Sequence, residues 1–179
     1  ASVGGGIPII RPLGSCLAAN EISEIYGILN GTTNYILTKM IKEGLSFDTA
    51  LKQAQEKGYA EADPTADVEG FDACRKICIL ASLSFGRHIY PAQVPTQGIT
   101  GVTAQDVALA EAAGMKIKLL GRAVLQEDGK VVAYVAPHLI PADQQMAGVE
   151  DVFNGIVVRG DAIGDVMFYG RGAGKLPTA

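Results

Sequence analysis

The sequence has no tryptophan, only two histidines and an odd three cysteines among its 179 residues. His88 and His138 stand alone, and Cys74 and Cys78 have no second ligand pair, so a zinc centre built from such side chains is not expected. Cys74 and Cys78 fall at helical i, i+4 spacing in an apolar stretch, which favours buried free thiols over a structural disulfide. No run approaches the roughly 18 uninterrupted apolar residues of a membrane span. The longest candidate, residues 77–85, contains two serines. A basic surplus is missing too. Lysine and arginine number 15 against 19 acidic residues, a net charge of −4 that leaves no footprint for a phosphate backbone and argues against a nucleic-acid partner. The first residues lack the basic and apolar regions of a signal peptide, so a cytoplasmic protein without membrane contact is expected.

What is present suits a globular chain. Apolar residues make up 48%, enough for a core, and 22 glycines favour tight turns and close backbone approach to a ligand. The length fits about one domain. The segment Val3-Gly-Gly-Gly-Ile-Pro-Ile-Ile10 reads as a strand and loop entered midway, and Pro177 suits the first turn of a helix that does not follow. Residues 1–179 are therefore expected to form a single domain cut from a longer protein.

Along the chain, residues 12–19 read as a short helix and residues 22–29 as a strand. Asn30-Gly-Thr-Thr-Asn34 breaks the strand and offers caps, and a helical pattern runs from Tyr35 to Glu43. Another helix starts at Ser46 or Asp48, residues 59–70 read as an acidic loop, and residues 71–85 give the strongest helix. A helix over 103–113 precedes a hairpin that pairs residues 116–125 with residues 130–136 across Gln126-Glu-Asp-Gly129. Two further strands, 155–159 and 166–169, are separated by turns at Arg159-Gly-Asp161 and Gly164-Asp165. The whole predicts an α+β fold, with helices packed on one mixed, mostly antiparallel sheet.

The densest chemistry lies between Gly58 and Lys76, where Glu61, Asp63, Asp67, Glu69 and Asp72 precede Arg75 and Lys76. Asp72 sits in the first turn of the predicted helix, and Lys76 follows four residues on along the same face. One reading is a solvated acidic loop with an ordinary ion pair worth about 0.3–0.5 kcal/mol. The other is a group of carboxylates that receives a ligand's ammonium and holds a lysine near a reacting oxygen. The glycine-rich loops Gly170-Arg-Gly-Ala-Gly-Lys175 and Gly4-Gly-Gly6 fit neither the phosphate-loop nor the dinucleotide spacing. No Gly-x-Ser-x-Gly elbow is present.

Five ordered segments carry a resemblance: Val3-Gly-Gly-Gly-Ile-Pro-Ile-Ile10, Asn30-Gly-Thr-Thr-Asn-Tyr-Ile-Leu37, Gly58-Tyr-Ala-Glu-Ala-Asp-Pro64, Asp72-Ala-Cys-Arg-Lys76 and Tyr169-Gly-Arg-Gly-Ala-Gly-Lys-Leu-Pro-Thr-Ala179. Together they resemble the substrate-binding catalytic region of homoserine dehydrogenase across nearly the whole chain. The resemblance implies an oxidoreductase that interconverts L-homoserine and L-aspartate 4-semialdehyde with NAD or NADP, in the biosynthesis of threonine, methionine and isoleucine. It also implies a preceding Rossmann domain, a following ACT domain in many bacterial members, and a homodimer formed through the sheet of the second half.

By motif, Lys76 matches the family's acid/base lysine. Glu61 and Asp72 match its substrate-binding carboxylates, with Asp67, Thr32 and Tyr59 close by. Gly58 and Gly174 match glycines that approach the cofactor. Val3, Gly5 and Ile7 match positions whose carbonyls ligate a monovalent cation such as sodium, beside a glutamate that falls before Ala1. The chain alone is then expected to fold without turning over homoserine and to hold no cation firmly. The competing expectation is a non-catalytic amino-acid-binding or assembly domain that keeps the fold.

Overall fold

The computed structural model describes residues 3–17 and 19–172. The central strand is the first in sequence, β1 (Ile22–Ile28), and it enters the sheet between two hairpins formed much later in the chain. On one side lie β2 (Met115–Leu125) and β3 (Val131–Pro141), and on the other β4 (Phe153–Gly160) and β5 (Gly164–Arg171), in the order β3-β2-β1-β4-β5. All four strand pairs are antiparallel. An isolated parallel bridge, Thr96 to Val135, supplies the mixed character. The fold is the expected α+β arrangement.

Six α-helices accompany the sheet among the described residues: α1 (Ile10–Gly14), α2 (Gly31–Glu43), α3 (Phe47–Glu56), α4 (Thr65–Val68), α5 (Phe71–Phe85) and α6 (Ala104–Ala112). Helix α5 presents Ala73, Cys74, Ile77, Cys78, Leu80 and Ala81 to the sheet at the spacing that marks an amphipathic helix. With Ile25, Leu29, Ile36 and Ile156, these side chains form the main core. A smaller apolar cluster on the opposite face joins Ile28, Leu120 and Val157 to Met146 and Val149, under a 3₁₀ turn at Gln145–Gly148. Because both faces of β1 are covered, its burial does not alternate cleanly.

One missing side chain sets how deeply α5 lies. Gly121 of β2 faces the helix, and a methyl group there would come within 2.9 Å of Leu29 Cδ1 and 3.0 Å of Ile77 Cβ. Ile77 follows Lys76 directly, so this close packing also fixes the height of the lysine's backbone.

Local elements depart from the sequence reading in several places. Residues 3–9, read as a strand and loop entered midway, form a turn and irregular chain, and Arg159 and Gly160, read as a turn, belong to β4. Helix α2 begins at Gly31, not Tyr35, because the Asn30 side chain accepts the Thr33 N–H at 2.9 Å and opens the helix early. Helix α1 occupies residues 10–14 instead of 12–19. The acidic segment expected as a loop contains the single turn α4, which follows Pro64. Gly164 and Asp165 belong to β5 instead of a turn, with Asp165 held across the hairpin by Arg159 at 2.7 and 2.9 Å. Cys74 and Cys78 are buried free thiols as expected, and burial pushes the Cys78 thiol up to about 11, while Cys16 is exposed.

Candidate active site

The end of β1 leads through Leu29 and Asn30 directly into α2, and this junction forms the floor of a cavity of about 460 Å³. Helix α5 supplies Asp72 and Lys76, α4 supplies Asp67, the segment after α3 supplies Gly58, Tyr59 and Glu61, and the end of β5 supplies Arg171 and Gly172. Seven predicted site residues, Thr32, Gly58, Tyr59, Glu61, Asp67, Asp72 and Lys76, thus line one space.

The lysine is held at two points. Its Nζ donates to Asp72 Oδ2 at 2.6 Å and to the Leu29 carbonyl at 3.0 Å, with about a fifth of its side chain exposed. It is therefore partly buried and aimed at the strand end, unlike the lysine of a solvated helix-face pair. Asn30 sits beside it and is almost fully buried. Its Nδ2 donates to Asp67 Oδ1 at 2.7 Å and to Asp72 Oδ2 at 2.8 Å, so a single amide bridges two carboxylates. Burial raises the Asp67 carboxyl above its usual range, the Asn30 amide draws it back, and the charge of Asp72 pushes it up again.

The remaining wall is built from main chain and rings. The Thr32 hydroxyl donates to the Tyr59 carbonyl at 2.6 Å, tying the start of α2 to the segment after α3. The Tyr59 ring meets the buried Tyr35 edge-on at 5.1 Å between centroids. Glu61 is exposed, its main-chain carbonyl accepts the Gln55 amide at 3.1 Å, and its carboxylate makes no ion pair among the described residues. Gly58 takes a left-handed backbone with φ of 72°, and open space lies where a side chain would stand.

Val3, Gly5 and Ile7 do not line this cavity. They lie on a turn in which the Gly4 carbonyl accepts the Ile7 N–H at 2.9 Å, and the Gly6 N–H donates to Arg171 at 3.0 Å. The Ile7 carbonyl already accepts from Ile9 at 2.8 Å and retains a second lone pair. Among the described residues no three His, Cys, Asp or Glu side chains gather as a metal site. Gly174 falls outside the described residues. The sequence reading missed Asn30, Val152 and Arg171 as parts of the wall, the last lying 5.1 Å over the Phe153 ring. A signal for Asn30 was present, since it opens the Asn30-Gly-Thr-Thr-Asn34 motif, but capping alone accounts for an asparagine there.

Fold and site together define an α+β chain with a cavity lined by three carboxylates, Glu61, Asp67 and Asp72, and by a partly buried, ion-paired lysine. The profile of the homoserine dehydrogenase family matches residues 8–179, and the chain belongs to that family. It is 54% identical to the homoserine dehydrogenase of Synechocystis sp. and 47% identical to that of Bacillus subtilis, in each case over its whole length. It spans only about two fifths of those relatives, 42% and 41%. The crystal structure of a homoserine dehydrogenase from Thiobacillus denitrificans matches 98% of this chain with a TM-score of 0.96 at 46% identity, over 41% of that protein. A hyperthermophilic archaeal homoserine dehydrogenase in complex with NADPH matches 99% of this chain, and 50% of its own, with a TM-score of 0.79 at 31% identity.

Proposed function

We propose that residues 1–179 are the substrate-binding, catalytic and dimerisation domain of an NAD(P)-dependent homoserine dehydrogenase, which interconverts L-homoserine and L-aspartate 4-semialdehyde. The observation that carries this reading is Lys76, fixed between Asp72 and the Leu29 carbonyl in a cavity where carboxylates outnumber bound cations. Asp72, Glu61 and Asp67 draw the ammonium of the amino acid, because a charge leaves water cheaply only when it meets its opposite. Thr32 and Tyr59 shape the wall beside it. Lys76 faces the oxygen on C4. During reduction the lysine, as an ammonium beside Asp72, gives a proton to the aldehyde oxygen and becomes the neutral amine, and during oxidation the neutral amine takes the proton of the hydroxyl.

The nicotinamide supplies hydride exchange with C4 when it is bound. Gly58, which lines the cavity with open space in place of a side chain, would stand beside the nicotinamide, and the family motif assigns Gly174 to the same contact. Most of the dinucleotide contact is assigned to a Rossmann domain outside residues 1–179. The Val3, Gly5 and Ile7 carbonyls, a neutral oxygen donor set, fit a weakly held monovalent cation such as sodium. The dimer is assigned to the sheet of the second half, whose edges are β3 and β5.

The division of labour has a direct test. The purified 179-residue chain should give no homoserine-dependent reduction of NAD or NADP, whereas the same chain joined to its dinucleotide-binding domain should. Turnover by the chain alone would overturn the proposal that cofactor binding resides mainly elsewhere.

A further inference from the structure

We propose that Asn30 is a positioning residue for this site, holding Asp67 and Asp72 as a fixed pair of carboxylates through the two hydrogens of one amide. The inference rests on the reading of the cavity as the homoserine site and deepens it. The amide has one orientation. Its oxygen accepts the Thr33 N–H at 2.9 Å and lies 3.0 Å from the Thr33 hydroxyl, so the nitrogen must face the acids. A flip would turn the amide oxygen towards two carboxylates and the NH₂ towards a backbone N–H. All four hydrogen-bonding sites of the group are then accounted for: two hydrogens on two acids, and two lone pairs at the start of α2.

This arrangement solves an electrostatic problem. Two carboxylates brought this close repel each other, and in a partly dry cavity one of them tends to keep a proton. A neutral donor shared by both eases that repulsion and favours the ionised form of Asp67, while adding no cation beyond the one Lys76 already places on Asp72. Asn30 binds only one oxygen of each acid, Asp67 Oδ1 and Asp72 Oδ2, and Lys76 shares that Asp72 Oδ2, so one oxygen of each acid is left by these contacts for a substrate ammonium. The adjacent residue completes the template, since the Leu29 carbonyl takes Lys76 while Asn30 takes the acids. Two consecutive residues at the end of β1 thereby set the spacing between the ammonium-binding acids and the proton-transferring lysine. The other charged or titratable groups on this cavity are Lys76 from α5, Glu61 and Tyr59 from the segment after α3, and Arg171 from β5.

The test separates positioning from capping in the full-length dehydrogenase. Asn30→Ser keeps an oxygen that can cap α2 but removes both amide N–H donors to the acids, leaving one hydroxyl on a shorter side chain. Its thermal midpoint should stay close to wild type, while KM for homoserine rises about ten-fold or more, as expected for the loss of hydrogen bonds to charged groups. Its kcat at saturating homoserine should change less than KM. The acid limb of its kcat/KM profile should move to higher pH, because Asp67 loses a donor that favours its charged form. Asn30→Asp, nearly isosteric and still a cap, should move that limb further by adding a third carboxylate. Wild-type KM and an unchanged acid limb in Asn30→Ser would overturn the proposal, and if that variant fails to fold, an unchanged limb in Asn30→Asp would do so. Asp67→Asn and Asp72→Asn serve as references. If both leave KM unchanged, the reading of the cavity itself falls. If they raise it and the Asn30 variants do not, only the role of Asn30 falls.

Discussion

Two groups of charged side chains gather around β1, one at mid-strand and one beyond its end, and differ in how their charges are matched. In mid-strand, Glu24 is almost fully buried and is gripped from both neighbouring strands, by Arg122 Nε of β2 and by Arg159 Nη1 of β4 at 2.6 Å. Arg159 in turn holds Asp165 through two further bonds, and the Arg122 guanidinium reaches the Tyr134 hydroxyl at 3.2 Å. This network is closed, since both carboxylates have guanidinium partners. At the strand's end, Glu61, Asp67 and Asp72 share a cavity in which a single lysine is ion-paired. That group is open. The closed network links side chains from all five strands, whereas in the open one Glu61 and Asp67 have no ion pair among the described residues, although Arg171 lines the same cavity.

The contrast predicts different failures. Lys76→Ala in the full-length enzyme should lower kcat by about 10²–10⁴-fold, the usual worth of positioned proton transfer, with the dimer and the fold intact. A folded variant within a few-fold of the wild-type kcat would return Lys76 to the status of an ordinary i, i+4 partner. Glu24→Gln should do the opposite. It leaves two guanidiniums without their shared acid, and because both are partly exposed the cost is discounted to about 1–3 kcal/mol of stability. Urea unfolding should register that loss while KM for homoserine stays unchanged, and a raised KM would show that the two groups are coupled.

The smallest effect concerns a third arrangement, a buried cation with no acid in ion-pair contact among the described residues. Lys118 of β2 is 1% exposed and donates to Asn34 Oδ1 at 3.2 Å and to the Val149 carbonyl. Burial, reinforced by the neighbouring charge of Lys116, lowers its amine to about 8. The unfolded chain keeps that proton up to about pH 10.4. Between these values the unfolded state binds more protons, so stability rises with pH, by at most about 1.4 kcal/mol per unit. The difference in unfolding free energy between wild type and Lys118→Met should therefore move in favour of wild type from pH 8 to 10. A constant difference would show that the amine keeps its ordinary value.

Periodic segments were readable and irregular ones were not. Helix α5 and the β2–β3 hairpin follow from apolar spacing and a turn sequence, because each buries a regular face. The true start of α2 is masked by Gly31, Thr32 and Thr33, poor helix formers that follow the Asn30 cap. Glu61 and Asp67 come to the cavity on backbone with no repeat, so their convergence on Lys76 was legible only through the ordered family motifs. The second role of Asn30 was hidden for a different reason. Its partners lie 37 and 42 residues away, and nothing local announces them. Lys118 was hidden as well, because a lysine in a strand reads as exposed until Asn34 and the Val149 carbonyl are placed over it.

The bare glycine at position 121 behaves like a spacer of zero thickness between helix and sheet. Adding one methyl would act as a shim, pressing on Leu29 and levering α5 away from β2, and costing about 1–3 kcal/mol of strain. Lys76 rides on that lever, and a shift of about 1 Å at a reacting group can cost 10²-fold in rate. A Gly121→Ala enzyme should therefore look in an assay like a lesion of the catalytic lysine, although residue 121 faces a helix and no substrate. The mechanical tolerance of the proton transfer proposed for Lys76 is thus written into a strand that does not line the cavity, at a residue whose contribution is the side chain it lacks.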